Sequence, residues 1–354
     1  MSARRFTPAA FLVAAAVCLA APVTGQDPAE TVGDAKQRGV SWVAGRSIDG
    51  AALDPLLDHH VEWIAQTPFG WQEATDKPAI RIATGGRVFW GETDEGLSRT
   101  LDLARERGLR TMLKPHIWVS GGAWRGDIYM PTDADWNTWF ADYREFILHY
   151  AQFAESRGIP LFCIGTELHK TVIARPGKWR DLIREIRDVY SGELTYAANW
   201  YDEFTDVSFW EELDYIGVQG YFPLSHEPTP GVDALVAGWG PHRDALRDLH
   251  ERVGKPVIFT EIGYRSWSDA ASRPWEWPIR GDDSDFDAVI QKNLYEAFFR
   301  TFWHEDWVVG AYWWKWFPGH SAAGGPGHNG FTPQNKLAAD VMAAWFAGDR
   351  PDTE

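Results

Sequence analysis

Apolar runs of four to seven residues alternate along the chain with amphipathic stretches. This is the pattern of strand–helix–strand units in a parallel sheet. The runs predict eight strands, at residues 39–43, 61–67, 111–115, 161–165, 194–198, 215–219, 256–260 and 309–313. Apolar positions at helical spacing predict helices over 93–107, 135–157, 178–190, 232–252 and 286–304. The second of these repeats Trp136, Trp139, Phe140, Tyr143, Phe146, Ile147 and Tyr150, and it stops at Gly158. Gly108 and Gly254 likewise end helices just before strands. Eight strands with helices between them predict an α/β protein built as a single (β/α)8 TIM barrel rather than an open sheet. No linker, low-complexity segment or repeat interrupts the chain after residue 30, so residues 26–354 read as one catalytic domain.

The first 25 residues read differently. Arg4 and Arg5 precede an apolar run from Ala9 to Ala21, and small residues follow it. That is the layout of a secretory signal, with cleavage expected after Gly25. The run is short for a membrane span. A lipoprotein signal ending at Cys18 fits less well, because Val17 precedes it. The mature protein is therefore expected to be secreted or periplasmic, and free of the membrane. Cys18 leaves with the signal and Cys163 then stands alone, so no intramolecular disulfide can form.

Composition adds one unusual feature and one exclusion. The chain of 354 residues is 45% hydrophobic and 24% charged, ordinary for a globular protein, but it holds 21 tryptophans. An indole N–H wants a partner, so tryptophan is a demanding core filler. The excess points to stacking surfaces for sugar rings, with about two thirds of the residues wedged between barrel and helices. Losing Arg4 and Arg5 with the leader moves the formal net charge from −16 to −18. So acidic a surface argues against nucleic acid and anionic lipid and favours a neutral substrate.

In a parallel barrel the chemistry sits where strands end and βα loops begin. The residues just past the predicted strands include His116 and Trp118, Glu167, Asn199 and Trp200, Tyr221, Glu261 and Tyr264, and Trp314 and Trp316. Glycoside hydrolysis needs two carboxyl groups flanking the scissile bond, one protonated and one ionised. A lone glutamate at a strand end is more often a salt-bridge partner or a neighbour of a helix cap. Two of them, directly after apolar fourth and seventh strands, would each cost free energy without a purpose. On opposite sides of a small barrel they would face each other across a cleft, at roughly 5–5.5 Å if the enzyme retains configuration.

The segments 162–168, 195–200, 214–217 and 259–264 resemble glycoside hydrolase family 113, in particular Gly165-Thr166-Glu167-Leu168 and Thr260-Glu261-Ile262-Gly263-Tyr264. The resemblance runs from about Gly39 to Ala347. It implies a retaining clan A glycosidase of the β-1,4-mannanase type, with Glu167 as acid/base and Glu261 as nucleophile. It further implies that Tyr221 hydrogen-bonds the nucleophile and that Trp314 floors the −1 subsite. Most of that clan has Asn immediately before the acid/base, where this chain has Thr166. Asn199 is the residue placed to supply an amide instead.

The remaining residues rank lower. His116 and Trp118 are expected to contact substrate, Trp200, Trp316 and Tyr264 to stack on it, and Lys114 to form a buried ion pair. Asp202 and Glu203 read as loop charges, the pair His59-His60 as surface, and Gly85-Gly86 and Gly324-Gly325 as turns. No metal-ligand spacing or calcium loop occurs in the sequence, so neither metal nor cofactor is expected. The partner expected is a β-linked polysaccharide or oligosaccharide, bound by a monomer. Rival readings are another β-hexoside or exo-acting mannosidase, with the tryptophan-bearing loop 266–285 walling off one end, and a carbohydrate-binding barrel without catalysis. An acyl hydrolase ranks below these readings, because the sequence has no Gly-x-Ser-x-Gly elbow.

Overall fold

Side chains alternate across a strand, so a strand buried on both faces feeds two cores at once. The computed structural model describes residues 36–82, 88–277 and 284–348. The expected signal segment and Gly85-Gly86 lie outside them. Among the described residues eleven strands are formed: β1 (Gln37–Trp42), β2 (Trp63–Gln66), β3 (Phe69–Gln72), β4 (Ile80–Ile82), β5 (Arg110–Leu113), β6 (His116–Val119), β7 (Leu161–Thr166), β8 (Glu193–Asn199), β9 (Tyr215–Gln219), β10 (Val257–Ile262) and β11 (Val308–Trp316). Eight of them close a barrel in the order β1-β11-β10-β9-β8-β7-β5-β2, every neighbour parallel. The expected single (β/α)8 barrel is the fold observed.

Residues pointing outward, such as Phe162, Ile164, Leu194, Tyr196, Ile216 and Phe259, join the large core beneath the helices. Trp63, Ala65, Met112, Leu161, Tyr215, Ile258 and Tyr312 form a separate cluster that fills the inside of the barrel. Towards the strand ends this interior turns polar, with Gln66, Lys114, Asn199, Gln219, Thr260 and Glu261 all buried. That change of character marks the face at which chemistry can occur.

Each long helix carries its own boundary signals. Thr93 caps Asp94–Arg105 and Thr132 caps Asp133–Ser156 through their hydroxyls, while the Asp287 carboxylate caps Ala288–Phe302. Gly254 ends Val232–Val253 in the left-handed conformation, φ 74°. Leu337–Ala347 is a helix that periodicity does not reveal, because it is apolar almost all round; it packs on Ala288–Phe302, where Phe299 and Trp345 stack at 5.4 Å. Among the described residues no helix is long and apolar enough to cross a membrane.

The structure adds a second sheet of three strands, order β4-β3-β6, where the sequence suggests only rim loops. Pro68 and Pro115 precede β3 and β6 and lack the N–H that would continue the barrel ladder. The chain therefore leaves the barrel at both prolines. β3 and β6 then pair with each other, Phe69 opposite His116. This places His116 and Trp118 on a small platform beside the barrel mouth.

Closure between β1 and β11 depends on Gly310, where an added Cβ would lie 2.4 Å from the Gln37 carbonyl oxygen. Gly310→Ala is expected to lower the midpoint of thermal unfolding by several degrees, since backbone must move to admit the methyl group. A melt indistinguishable from the unsubstituted protein would show that the seam is looser than this geometry.

Candidate active site

Glu261 lies on β10, and its side chain enters the polar end of the barrel. Both of its oxygens are held. Tyr221 Oη donates to Oε1 at 2.6 Å, while Lys114 Nζ at 2.7 Å and Gln219 Nε2 at 3.3 Å donate to Oε2. Lys114 is wholly buried and also bonds the Thr260 carbonyl, so the expected ion pair is formed, and with Glu261 itself. Burial alone would raise the pKa of Glu261. The charge and hydrogen bond of Lys114, the Tyr221 hydrogen bond and the charge of Arg125 outweigh it and leave the carboxyl below its ordinary value. Glu261 is held bare.

Glu167 follows β7 with φ 51°, the left-handed region that a residue with a side chain rarely adopts. Its own N–H donates to the Ala197 carbonyl at 2.9 Å, and the next N–H, of Leu168, donates to Tyr196 Oη at 2.7 Å. Asn199 Nδ2 donates to Glu167 Oε1 at 2.7 Å. The Asn199 amide is itself oriented, because Tyr201 N–H donates to its Oδ1 at 2.8 Å. Asn199 thus acts on Glu167, while Thr166 is buried with its hydroxyl on the Pro115 carbonyl at 3.4 Å. Thr166 offers nothing to the cleft.

Behind this pair stands Glu203, and here the structure corrects the expectation of a loop charge. Its side chain is fully buried. It accepts from Tyr196 Oη at 2.5 Å and from the Asn199 N–H at 2.6 Å. One carboxyl therefore ties the backbone after Glu167, through Tyr196, to the backbone of Asn199. Burial pushes its pKa up to about 8, against the two hydrogen bonds and with help from the Glu167 charge. Sequence reasoning missed it because a glutamate after Tyr201-Asp202 looks like turn chemistry. It opens the short helix Glu203–Asp206, and its carboxyl reaches back to Tyr196 and Asn199 of β8.

The two glutamates line one cleft of about 740 Å³. His116, Trp118, Asn199, Trp200, Tyr221 and Trp314 line it too, as expected. Seven of the 21 tryptophans do so, which supports the division between structural and groove-lining indoles. Trp275 and Trp277, from the loop after β10, are among the seven, and Trp275 stacks on Trp200 at 5.1 Å. Tyr264 and Trp316 are corrections: both are fully buried in the core and neither lines the cleft. Trp316 instead stacks on His320 and meets His59 edge-on, which half-buries a histidine expected at the surface.

His116 is kept neutral, since burial and then Arg125 and Lys114 lower its pKa well below the ordinary value. Its Nδ1 lies 2.8 Å from Arg125 Nη1, which assigns the proton to Nε2. Residues the sequence did not single out also line the cleft, namely Phe69, Glu92, Arg125, Gln219, Lys315 and Phe331. Burial raises the Glu92 carboxyl to about 7. Among the described residues no group of three or more His, Cys, Asp or Glu side chains is placed to hold a metal.

The profile of Glycoside Hydrolase Family 113 matches residues 36–332. The chain belongs to glycoside hydrolase family 113. It is similar to the family 113 β-mannanase AaManA from Alicyclobacillus acidocaldarius, solved in complex with ManMIm, at 26% identity and a TM-score of 0.76 over 89% of this chain and 98% of that one. A second family 113 structure, a β-1,4-mannanase in complex, is 24% identical with a TM-score of 0.75 over 88% of this chain and 99% of that one. A β-glucuronidase from Faecalibacterium prausnitzii shares the fold alone, with 13% identity and a TM-score of 0.57 over 89% of this chain and 49% of that one. No curated protein sequence matches. The family 113 chain is a glycoside hydrolase, and its substrate is carbohydrate.

Glu203 supplies the test of how this site is held. A carboxyl whose pKa rises from the ordinary 4.5 to about 8 on folding stabilises the fold most at acid pH, and that contribution is lost as pH rises from 4.5 to about 8. Glu203→Gln, which has no proton to lose, is expected to lack this slope. Thermal melts should show wild type losing its advantage over the variant by a few degrees between pH 5 and 8. Parallel pH dependence of the two proteins would contradict the burial of a titrating carboxyl there.

Proposed function

We propose that this family 113 enzyme cleaves β-linked mannose-containing chains with retention of configuration, by double displacement. Glu167 protonates the departing glycosidic oxygen while the Glu261 carboxylate attacks the anomeric carbon, giving a glycosyl-enzyme ester. A water molecule then attacks that carbon, Glu167 takes its proton, and the ester bond to Glu261 breaks. The observation that carries the reading is the unequal treatment of two carboxyls in one cleft. Glu261 is held ionised by Lys114, Tyr221 and Gln219, whereas Glu167 receives one amide hydrogen bond and no cation within ion-pair distance among the described residues. A nucleophile needs the first environment and an acid/base the second.

Neutral imidazole at His116 and the indole-lined walls suit the hydroxyls and apolar faces of sugar rings. The likeness to a β-mannanase at 26% identity supports mannan as the chain type. The basic, apolar leader supports export, so that the enzyme meets its polymer outside the cytoplasm.

Separate Glu261→Gln and Glu167→Ala variants, assayed on β-mannan and mannooligosaccharides, test the assignment. Each is expected to lose at least about a thousandfold in kcat. Azide should partly rescue only Glu167→Ala on an activated aryl mannoside, yielding the β-azide. Near-normal turnover by either variant, or rescue of Glu167→Ala that yields the α-azide, would refute the roles given.

A further inference from the structure

Lys315 follows Trp314 on β11 and lines the cleft half-buried. Its Nζ lies 5.0 Å from the ring centroid of Trp277, 5.1 Å from Trp314 and 5.2 Å from Phe317. Three aromatic faces thus fix the ammonium by cation–π attraction. None of them accepts its N–H bonds well. Among the described residues Lys315 Nζ makes no hydrogen bond and no ion pair, whereas buried Lys114 has three oxygen partners. An immobilised, partly desolvated ammonium with all its donors unmet is a costly group to keep, and it faces the cleft.

The charges around it are unbalanced in one direction. Lys114 cancels Glu261. In the form that begins the proposed reaction Glu167 carries its proton, and below about pH 7 so does most of Glu92. Arg125 forms no ion pair among the described residues; its guanidinium rests on neutral His116. Lys315 and Arg125 therefore leave this cleft positive, within a chain whose formal net charge is −16. The negative exterior gives no attraction to a polyanion. The mouth itself does, at short range and in a setting of reduced dielectric.

We propose that Lys315 forms a carboxylate-binding subsite, so that the preferred chain carries a uronic acid close to the scissile bond. This rests on the glycosidase reading of Glu167 and Glu261 and sharpens its substrate class from a neutral mannan to an acidic one. Trp277 and Trp314 hold the ammonium and also offer stacking faces, so sugar ring and carboxylate are read together.

The test uses one oligosaccharide in two forms: a β-linked mannooligosaccharide carrying glucuronic acid, and the same compound with its carboxyls reduced to alcohols. The expected ratio of kcat/KM, acidic over reduced, is about tenfold or more for wild type, equivalent to about 1.4 kcal/mol, and it shrinks as salt is added. Lys315→Met should bring the ratio to about one, and Lys315→Arg should keep most of it. Calorimetric binding of both compounds to Glu167→Gln, which leaves the Lys114–Glu261 pair in place, reads the same preference without turnover. A ratio near one in either the wild-type kinetics or the Glu167→Gln binding, or a kinetic ratio that survives Lys315→Met, overturns the proposal. Failure of the wild-type enzyme to hydrolyse either form, alongside a retained binding preference, would instead count against the catalytic roles and leave the subsite standing.

Discussion

The buried pair of Lys114 and Glu261 is the interaction on which the rest of the mouth depends. A carboxylate at the end of an apolar barrel strand is far from bulk water and would neutralise itself by taking a proton. Lys114 prevents this at 2.7 Å, and it can do so because it is completely buried and tied to the Thr260 carbonyl and Gln219 as well. Removing one partner would strand the other charge in a low dielectric, which is far more costly than removing both. The pair is thus a constraint on β5, β9 and β10 together. The polar end of the barrel interior is built around it.

The second carboxyl is placed by backbone rather than by charge. Glu167 accepts a left-handed conformation because two consecutive N–H groups, its own and that of Leu168, are claimed by β8 through Ala197 and Tyr196. Glu203 locks the same strand from behind, holding Tyr196 and Asn199 at once. A cation beside Glu167 would have favoured the carboxylate and opposed the acid role proposed for it. The structure supplies an oriented amide instead. The two halves of the site thereby differ in kind, one electrostatic and one conformational.

What was legible in the sequence follows from this. The eight barrel strands are buried on both faces and so read as continuous apolar runs; the glutamates stand out because they break such runs. Glu167 and Glu261 were singled out for that reason, whereas the role expected of Tyr221 came from the family resemblance and that of Asn199 from its place at a strand end. β3, β4 and β6 were not, since three or four residues of mixed aromatic and polar character look like any rim loop. Tyr264 and Trp316 were placed in the cleft on proximity to strand ends, but position along a strand does not say which way a ring turns, and both turn into the core. Glu203 and Lys315 were passed over for the opposite reason. Their surroundings form only on folding, Glu203 meeting Tyr196 and Asn199 where the chain turns after β8 and Lys315 meeting Trp277 from another loop, and local pattern carries no trace of either.

The central claim is that Glu261 is kept ionised in order to bond to the sugar. Incubation with a 2-deoxy-2-fluoro-β-mannosyl fluoride, followed by peptide mass spectrometry, tests it most directly, because the 2-fluorine slows both formation and breakdown of the intermediate while the good leaving group restores formation alone. One fluoromannosyl unit attached to the peptide containing Glu261 is the result this account predicts. A label on Glu167 or any other residue, or turnover of the reagent by an enzyme that never becomes labelled while releasing the inverted sugar, would contradict it.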